Sequence, residues 1–294
     1  MPLWQHYYLA KSIPDALEAL AQAPGPARIV AGGTDLLLDL GQGRHPGVHT
    51  LVDVASIPEL RALETRGDQL FIGASVPLSK VVEAPYVRDH ARALAEACHL
   101  IGGPQVRNTA TLGGNVGHAL PAADGTIALL ALGAEVEIAS SIETRRIPLQ
   151  DIFSGPGKSS LLPREEIILG FYIPLRKPGQ ASAFRRVMRP QGVALPILNM
   201  AIWLHRQQRS IAAIRISIGP AGSIPMRARA AEEILKGSPV NGESLRFAQA
   251  AILDELHFRS SPHRASAEYR RHLSSVLLDE TLSAAWHRAG DEDE

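Results

Sequence analysis

Short apolar runs punctuated by Gly, Pro and Asp set the element pattern of the chain. Ser12-Ile13-Pro14-Asp15 before Ala16 to Ala21 combines an N-cap, an early proline and an apolar periodic stretch, and predicts a helix. Pro24-Gly25-Pro26 stops it. Arg28 to Ala31 reads as a strand running into Gly32-Gly33-Thr34-Asp35, with a short apolar segment from Leu36 and a second strand at Thr50 to Val54. Helix, strand, turn and strand make a small α/β unit over residues 1–55.

A second unit, residues 56–175, opens with a strand at Gln69 to Ala74 and an Ala- and Leu-rich helix at Val87 to His99. The glycine-rich stretch from Ile101 to Asn115 follows, then Pro121-Ala122-Ala123-Asp124 and a helix-like apolar run from Ile127 to Leu132. Strands at Glu135 to Ala139 and Ile167 to Ile173 close the unit, and Arg176-Lys177-Pro178-Gly179 reads as a linker.

Residues 176–285 form an α+β third. Ile197 to Leu204 and Ile211 to Ile218 are antiparallel strands, the second with Ile214, Ile216 and Ile218 alternating. Helices are expected at Met226 to Leu235, Ser244 to Leu256 and Ala265 to Leu278. In the last, Tyr269, Leu273, Val276 and Leu277 share one face. An acidic tail over 286–294 completes the chain.

Composition narrows what such units can do. The 294 residues are 45% hydrophobic, enough for ordinary cores, and thirty Lys plus Arg balance thirty Asp plus Glu. A net charge of zero supplies no general attraction to nucleic acid or to an anionic membrane. Cys98 is the single cysteine, so no disulfide framework and no multi-thiolate metal or iron–sulfur site belongs to this chain. Redox chemistry here needs an organic cofactor. No basic segment followed by an apolar run stands at the N-terminus, and a cytoplasmic location without a membrane segment is expected.

Two glycine pairs carry the candidate chemistry, Gly32-Gly33 after a strand and Gly113-Gly114 after Pro104-Gln105-Val106-Arg107-Asn108. Glycine lets backbone N–H groups approach a ligand, and consecutive N–H groups form a concavity for an anion such as a pyrophosphate. Either pair alone is more often a plain turn. No strand leads into G-x-G-x-x-G, and Gly157-Lys158-Ser159 lacks the first P-loop glycine, because Ile152 stands there. Neither G-x-S-x-G nor H-E-x-x-H occurs.

Ala31 to Leu36, Arg107 to Asn115 and Pro121 to Asp124 together resemble the three FAD signatures of the molybdenum hydroxylase flavoprotein subunits, the xanthine dehydrogenase and carbon monoxide dehydrogenase family. The likeness continues through Glu166 to Leu169 with Ile173-Pro174, Ile218-Gly219-Pro220 with Pro225-Met226-Arg227, and Ser266 to Leu273. It implies an α+β fold, with a two-part FAD-binding domain (PCMH-type) over 1–175 followed by a C-terminal domain with an antiparallel sheet and helices. By the same resemblance Ile29, Val30, Ala31, Gly32, Gly33, Thr34, Asp35 and Leu36 wrap the FAD pyrophosphate with main-chain amides. Thr111, Gly113, Gly114 and Asn115 form a second loop around the phosphates and ribityl chain, and Asp124 accepts hydrogen bonds from cofactor hydroxyls. Ile101 and Ile168 lie against the isoalloxazine, with aliphatic contact replacing an aromatic stack at Ile101. Arg186 substitutes for a lysine near the flavin.

Each assignment has a plainer competitor. Asp35 could cap the helix from Leu36, since a carboxylate beside a pyrophosphate is repelled. Thr111 and Asn115 could be turn residues, Asp124 an N-cap, His118 a surface histidine, and Ile101 and Ile168 core residues. Val193 and Ala194 stand where many relatives carry an aspartate, which leaves NAD, a quinone, a carrier protein and oxygen all open as acceptors. The resemblance further implies a small iron–sulfur subunit with [2Fe-2S] clusters and a large subunit with a molybdenum-pterin cofactor as partners. A stand-alone FAD oxidase or reductase and a flavin-free scaffold are the competing functions.

Overall fold

A computed structural model describes residues 3–189, 194–262 and 264–290. Its first elements are β1 (Trp4–Leu9), α1 (Ile13–Gln22), β2 (Ala27–Val30), α2 (Leu36–Gly41) and β3 (Val48–Asp53), with β3 lying between β1 and β2 and parallel to both. The Ser12 hydroxyl accepts from the Asp15 amide at the start of α1, and Ala16, Leu17 and Leu20 turn into the core. β1 has no counterpart in the sequence reading. It is exposed along nearly its whole length, so no alternation of apolar residues marks it; the ladder to β3 holds it.

The next elements are β4 (Leu63–Arg66), β5 (Gln69–Gly73), α3 (Leu78–Glu83), α4 (Pro85–His90), α5 (Arg92–Leu100), α6 (Pro104–Thr109), α7 (Leu112–Gly117) and α8 (Asp124–Leu132). Then come β6 (Glu135–Ala139), β7 (Thr144–Pro148), the small pair β8 (Phe153–Gly155) and β9 (Lys158–Ser159), and β10 (Ile167–Pro174). An antiparallel sheet runs β4-β5-β10-β6-β7. The single helix expected at Val87 to His99 is two helices. Ala91, with φ −137° and ψ 49°, ends α4 by donating to the Val87 carbonyl and starts α5 by accepting from Leu94. The stretch expected to be a glycine loop holds two short helices, α6 and α7.

The last elements are β11 (Gln180–Met188), β12 (Pro196–Gln207), β13 (Ser210–Gly219), β14 (Met226–Arg227), α9 (Arg229–Leu235), α10 (Gly242–Glu255) and α11 (Ala267–Gly290). The strands form one antiparallel sheet in chain order, and the helices share its core. The fold is α+β, as the resemblance implied. Met226 and Arg227 belong to a strand rather than to the helix expected there. On α11, Leu273 and Leu277 are buried, but Tyr269 and Val276 are exposed; the inward face runs through Arg270, Leu273, Ser274, Leu277, Leu278 and Thr281. The expected tail is also corrected, because α11 continues to Gly290, and residues 291–294 lie outside the described residues, as does Val193.

α8 is buried at every residue from Asp124 to Leu132. The four-stranded sheet grips it at both ends. Arg186 of β11 and Asn199 of β12 bond the Asp124 carboxylate, while Arg215 of β13 donates to the Ala131 and Leu132 carbonyls at 2.8 and 3.1 Å. Those carbonyls are among the helix-end acceptors that lack a partner within the helix. Among the described residues, no helix is long and apolar enough to cross a membrane.

Candidate functional site

The first glycine pair sits between β2 and α2. Gly33 has φ +67°, a conformation open to glycine, and a left-handed residue among right-handed ones is the backbone pattern that turns successive amides toward an anion. The N–H groups of Gly32, Gly33, Thr34, Asp35 and Leu36 have no acceptor among the described residues. Asp35 occupies the N-cap position of α2, yet its side chain makes no capping bond.

The second glycine pair is used differently. Thr111 is the N-cap of α7, its hydroxyl accepting from the Gly114 amide at 3.1 Å, and the Gly113 amide donates to the Ala74 carbonyl at 2.8 Å. The Asn115 amide bonds the Thr111 carbonyl. These residues were expected to form a loop; they form the N-cap and first turn of a helix, and the amides of Gly113, Gly114 and Asn115 are already committed. Gly113 must be glycine because a β-carbon there would come 2.6 Å from the Ala74 carbonyl oxygen.

Tertiary packing brings the pairs together. A β-carbon on Gly32 would meet the Thr109 carbonyl oxygen at 2.1 Å, so the first loop lies on the backbone that leads into Thr111. The Asn115 side chain then accepts from the Thr126 amide in the first turn of α8. The three signatures thus form one continuous wall: Gly32 to Leu36, Thr109 to Asn115, and Asp124 to Thr126.

Asp124 begins α8, but the helix is not capped by it. Ala123 is the N-cap, and both Asp124 oxygens are taken: Oδ2 accepts from Arg186 Nη1 at 2.5 Å and Oδ1 from Asn199 Nδ2 at 2.5 Å. Burial pushes the carboxyl above the ordinary range, against the pull of the Arg186 charge and the two hydrogen bonds. Arg186 also donates to the Leu100 carbonyl at 2.6 Å, and its Nε, like Asn199 Oδ1, is buried with no partner among the described residues. The sequence reading did not select Asn199. Its signal is an amide inside the otherwise apolar run from Ile197 to Leu204.

The profile described as "FAD binding domain in molybdopterin dehydrogenase" matches residues 4–176. The chain belongs to this flavoprotein family. Its other part, residues 182–285, matches the CO dehydrogenase flavoprotein C-terminal domain. A xanthine dehydrogenase FAD-binding subunit of Escherichia coli O157:H7 is 31% identical over 97% of both chains. The nicotine 6-hydroxylase medium subunit of Paenarthrobacter nicotinovorans is 34% identical over 96% of this chain and 97% of its own. Among solved structures, carbon monoxide dehydrogenase from Hydrogenophaga pseudoflava superposes with a TM-score of 0.93 at 26% identity, covering 98% of this chain and 99% of that one.

Within this flavoprotein, the remaining candidates sit around the wall. Ile101 caps the end of α5 and is half-buried against the main core, and Ile168 lies in β10, where its Cδ1 would be 4.0 Å from a β-carbon on Gly117. Ile29 and Val30 end strand β2, and Ala31 follows it. His118, read as a surface histidine, is half-buried at the end of α7, with Nε2 3.9 Å from the buried Asp39 carboxylate of α2. That contact links the two glycine segments a second time. Burial pushes the Cys98 thiol well up, leaving it inert. Among the described residues, no cluster of His, Cys, Asp or Glu could hold a metal ion.

Proposed function

We propose that this chain is the FAD-carrying electron-transfer subunit of a heteromeric molybdenum hydroxylase. It receives electrons from the [2Fe-2S] clusters of a small iron–sulfur subunit and passes them to an external acceptor. Substrate is hydroxylated at the molybdenum-pterin cofactor of a large subunit. The observation that carries the reading is the run of acceptor-free amides from Gly32 to Leu36, packed against Thr109 and Ala110 in a chain of this flavoprotein family. Relatives bear the names of a xanthine dehydrogenase FAD-binding subunit, a nicotine 6-hydroxylase medium subunit and a carbon monoxide dehydrogenase medium chain, which supports the reading.

The residues fit the cofactor. Backbone donors without internal acceptors suit a pyrophosphate, and the segment from Ile29 to Leu36 holds it, with Gly33 supplying the turn. Thr111, Gly113, Gly114 and Asn115 form the facing wall mainly through shape, since the amides of Gly113, Gly114 and Asn115 bond within the protein. Asp124 fixes Arg186 and closes the wall on the side of β11. Ile101 and Ile168 give the ring system an aliphatic contact surface that keeps water away. When bound, the flavin supplies uptake of two electrons and their release singly or as a pair. The reading divides the chain into an FAD-binding domain over 1–175 and a C-terminal flavoprotein domain over 176–285, and places it in the cytoplasm.

Anaerobic stopped-flow mixing with aromatic, heterocyclic and aldehyde substrates tests the relay. FAD in the isolated chain should stay oxidised, and adding both partner subunits should make its reduction substrate-dependent. Rapid reduction in the isolated chain would instead make it a stand-alone oxidase or reductase. A purified chain without flavin absorbance, and unable to take up added FAD, would be a scaffold.

A further inference from the structure

A cationic cluster in the C-terminal part has no role in the cofactor site. Arg270, in the second turn of α11, is only 4% exposed, yet its guanidinium has no carboxylate or carbonyl acceptor among the described residues, and its Nε is buried without a partner. Arg215 shows the ordinary solution, two carbonyl acceptors at the end of α8. Only Nε of Arg270 is cut off from solvent; the two Nη groups are not, and a buried donor without an acceptor is unfavourable.

The neighbours of Arg270 add to its charge. Arg264 and Arg259 reinforce the downward push that burial exerts on its pKa. Arg259 is anchored on the Gly222 carbonyl at 3.4 Å, and Arg189 on the Arg264 carbonyl at 3.5 Å. None of Arg189, Arg259 and Arg264 has a carboxylate partner among the described residues. Glu268, the acid in the first turn of α11, is exposed and pairs with none of them. The helix itself contributes a positive end here, with Ser266 accepting from the Tyr269 amide at its start. Arg189 directly follows Met188, whose sulfur lies 3.0 Å from Arg186 Nη2, so the cluster adjoins the Asp124–Arg186 pair.

We propose that Arg270, with Arg259 and Arg264, forms a binding site for a phosphate-class oxyanion, either inorganic phosphate or the phosphate monoester of a nucleotide. A guanidinium presents a planar fork of donors that matches phosphate oxygens, and a dianion would neutralise the cluster. Arg259, Arg264 and Arg270 share no residue with the amide row at Gly32 to Leu36.

The test uses the full chain saturated with FAD, so that the amide row is filled. Inorganic phosphate should raise the melting temperature above that in chloride of equal ionic strength. Arg270→Met should abolish this difference while flavin content stays unchanged, and Arg259→Ala with Arg264→Ala should weaken phosphate binding by about tenfold in calorimetry. No phosphate-specific stabilisation of the wild type, or an equal one in Arg270→Met, overturns the site. Should Arg270→Met fail to fold, wild-type phosphate affinity in the double variant overturns it. AMP competing with phosphate at the same arginines identifies a nucleotide phosphate as the ligand; binding of phosphate without competition identifies the free anion. Loss of FAD in glycine-loop variants bears on the cofactor site and leaves this measurement standing.

Discussion

Gly32 lies directly on Thr109, close enough that a β-carbon at Gly32 would come within 2.1 Å of the Thr109 carbonyl oxygen and 2.9 Å of the Ala110 Cα. Two signatures far apart in the chain therefore meet backbone to backbone. The glycine is needed for that contact as well as for exposing amides.

Gly32→Ala should separate the two segments, costing about 1–3 kcal/mol of stability through overpacking and sharply lowering FAD occupancy. Gly33→Ala, at φ +67°, should act in the same direction by about 1–2 kcal/mol. Gly114→Ala meets only the Thr111 hydroxyl at 3.1 Å and should keep nearly full flavin absorbance per polypeptide. Equal flavin loss in the Gly32 and Gly114 variants would contradict the asymmetry between the pairs.

Asp124→Ala leaves Arg186 charged and buried, with side-chain exposure of 5%. The expected loss is about 3–5 kcal/mol in urea unfolding, much more than a cap would contribute. A loss near 1 kcal/mol would return Asp124 to a minor local role.

Arg215 joins the end of α8 to β13 and stacks its guanidinium 3.9 Å from the Trp203 ring centroid. Burial, then Arg227, lowers its pKa to about 10, with Glu232 opposing. Arg215→Met keeps most of the packing but strips the Ala131 and Leu132 carbonyls of their donors, which should cost about 1–3 kcal/mol and change Trp fluorescence. Unaltered stability would mean that water replaces the guanidinium there.

Glu166 supplies the acid dependence. Burial alone would raise its pKa, but the hydrogen bond from Arg145 and the one from the Leu162 amide outweigh it and hold the carboxyl below its ordinary 4.5. A depressed folded-state pKa contributes stability above the unfolded value and loses it as pH falls through the folded value. Unfolding measured from pH 7 downward should therefore show a decline in stability below about pH 4.5 that is smaller in Glu166→Gln. Parallel curves for the two proteins would remove Glu166 from the account.

The sequence by itself determined the features whose cause lies within a few residues or a single run. Ser12 and Pro14 announce α1, the alternating Ile214, Ile216 and Ile218 announce β13, and the three signatures announce the flavoprotein family. Partnership was decided by tertiary structure. The Gly113 amide is spent on Ala74, Asp124 on Arg186 and Asn199, and β1 exists only because β3 lies beside it. Residue type states how many hydrogen bonds a group can make and how much apolar surface it must hide. Which distant segment satisfies them depends on the packing of the whole chain, and so does which amides are left free for a ligand.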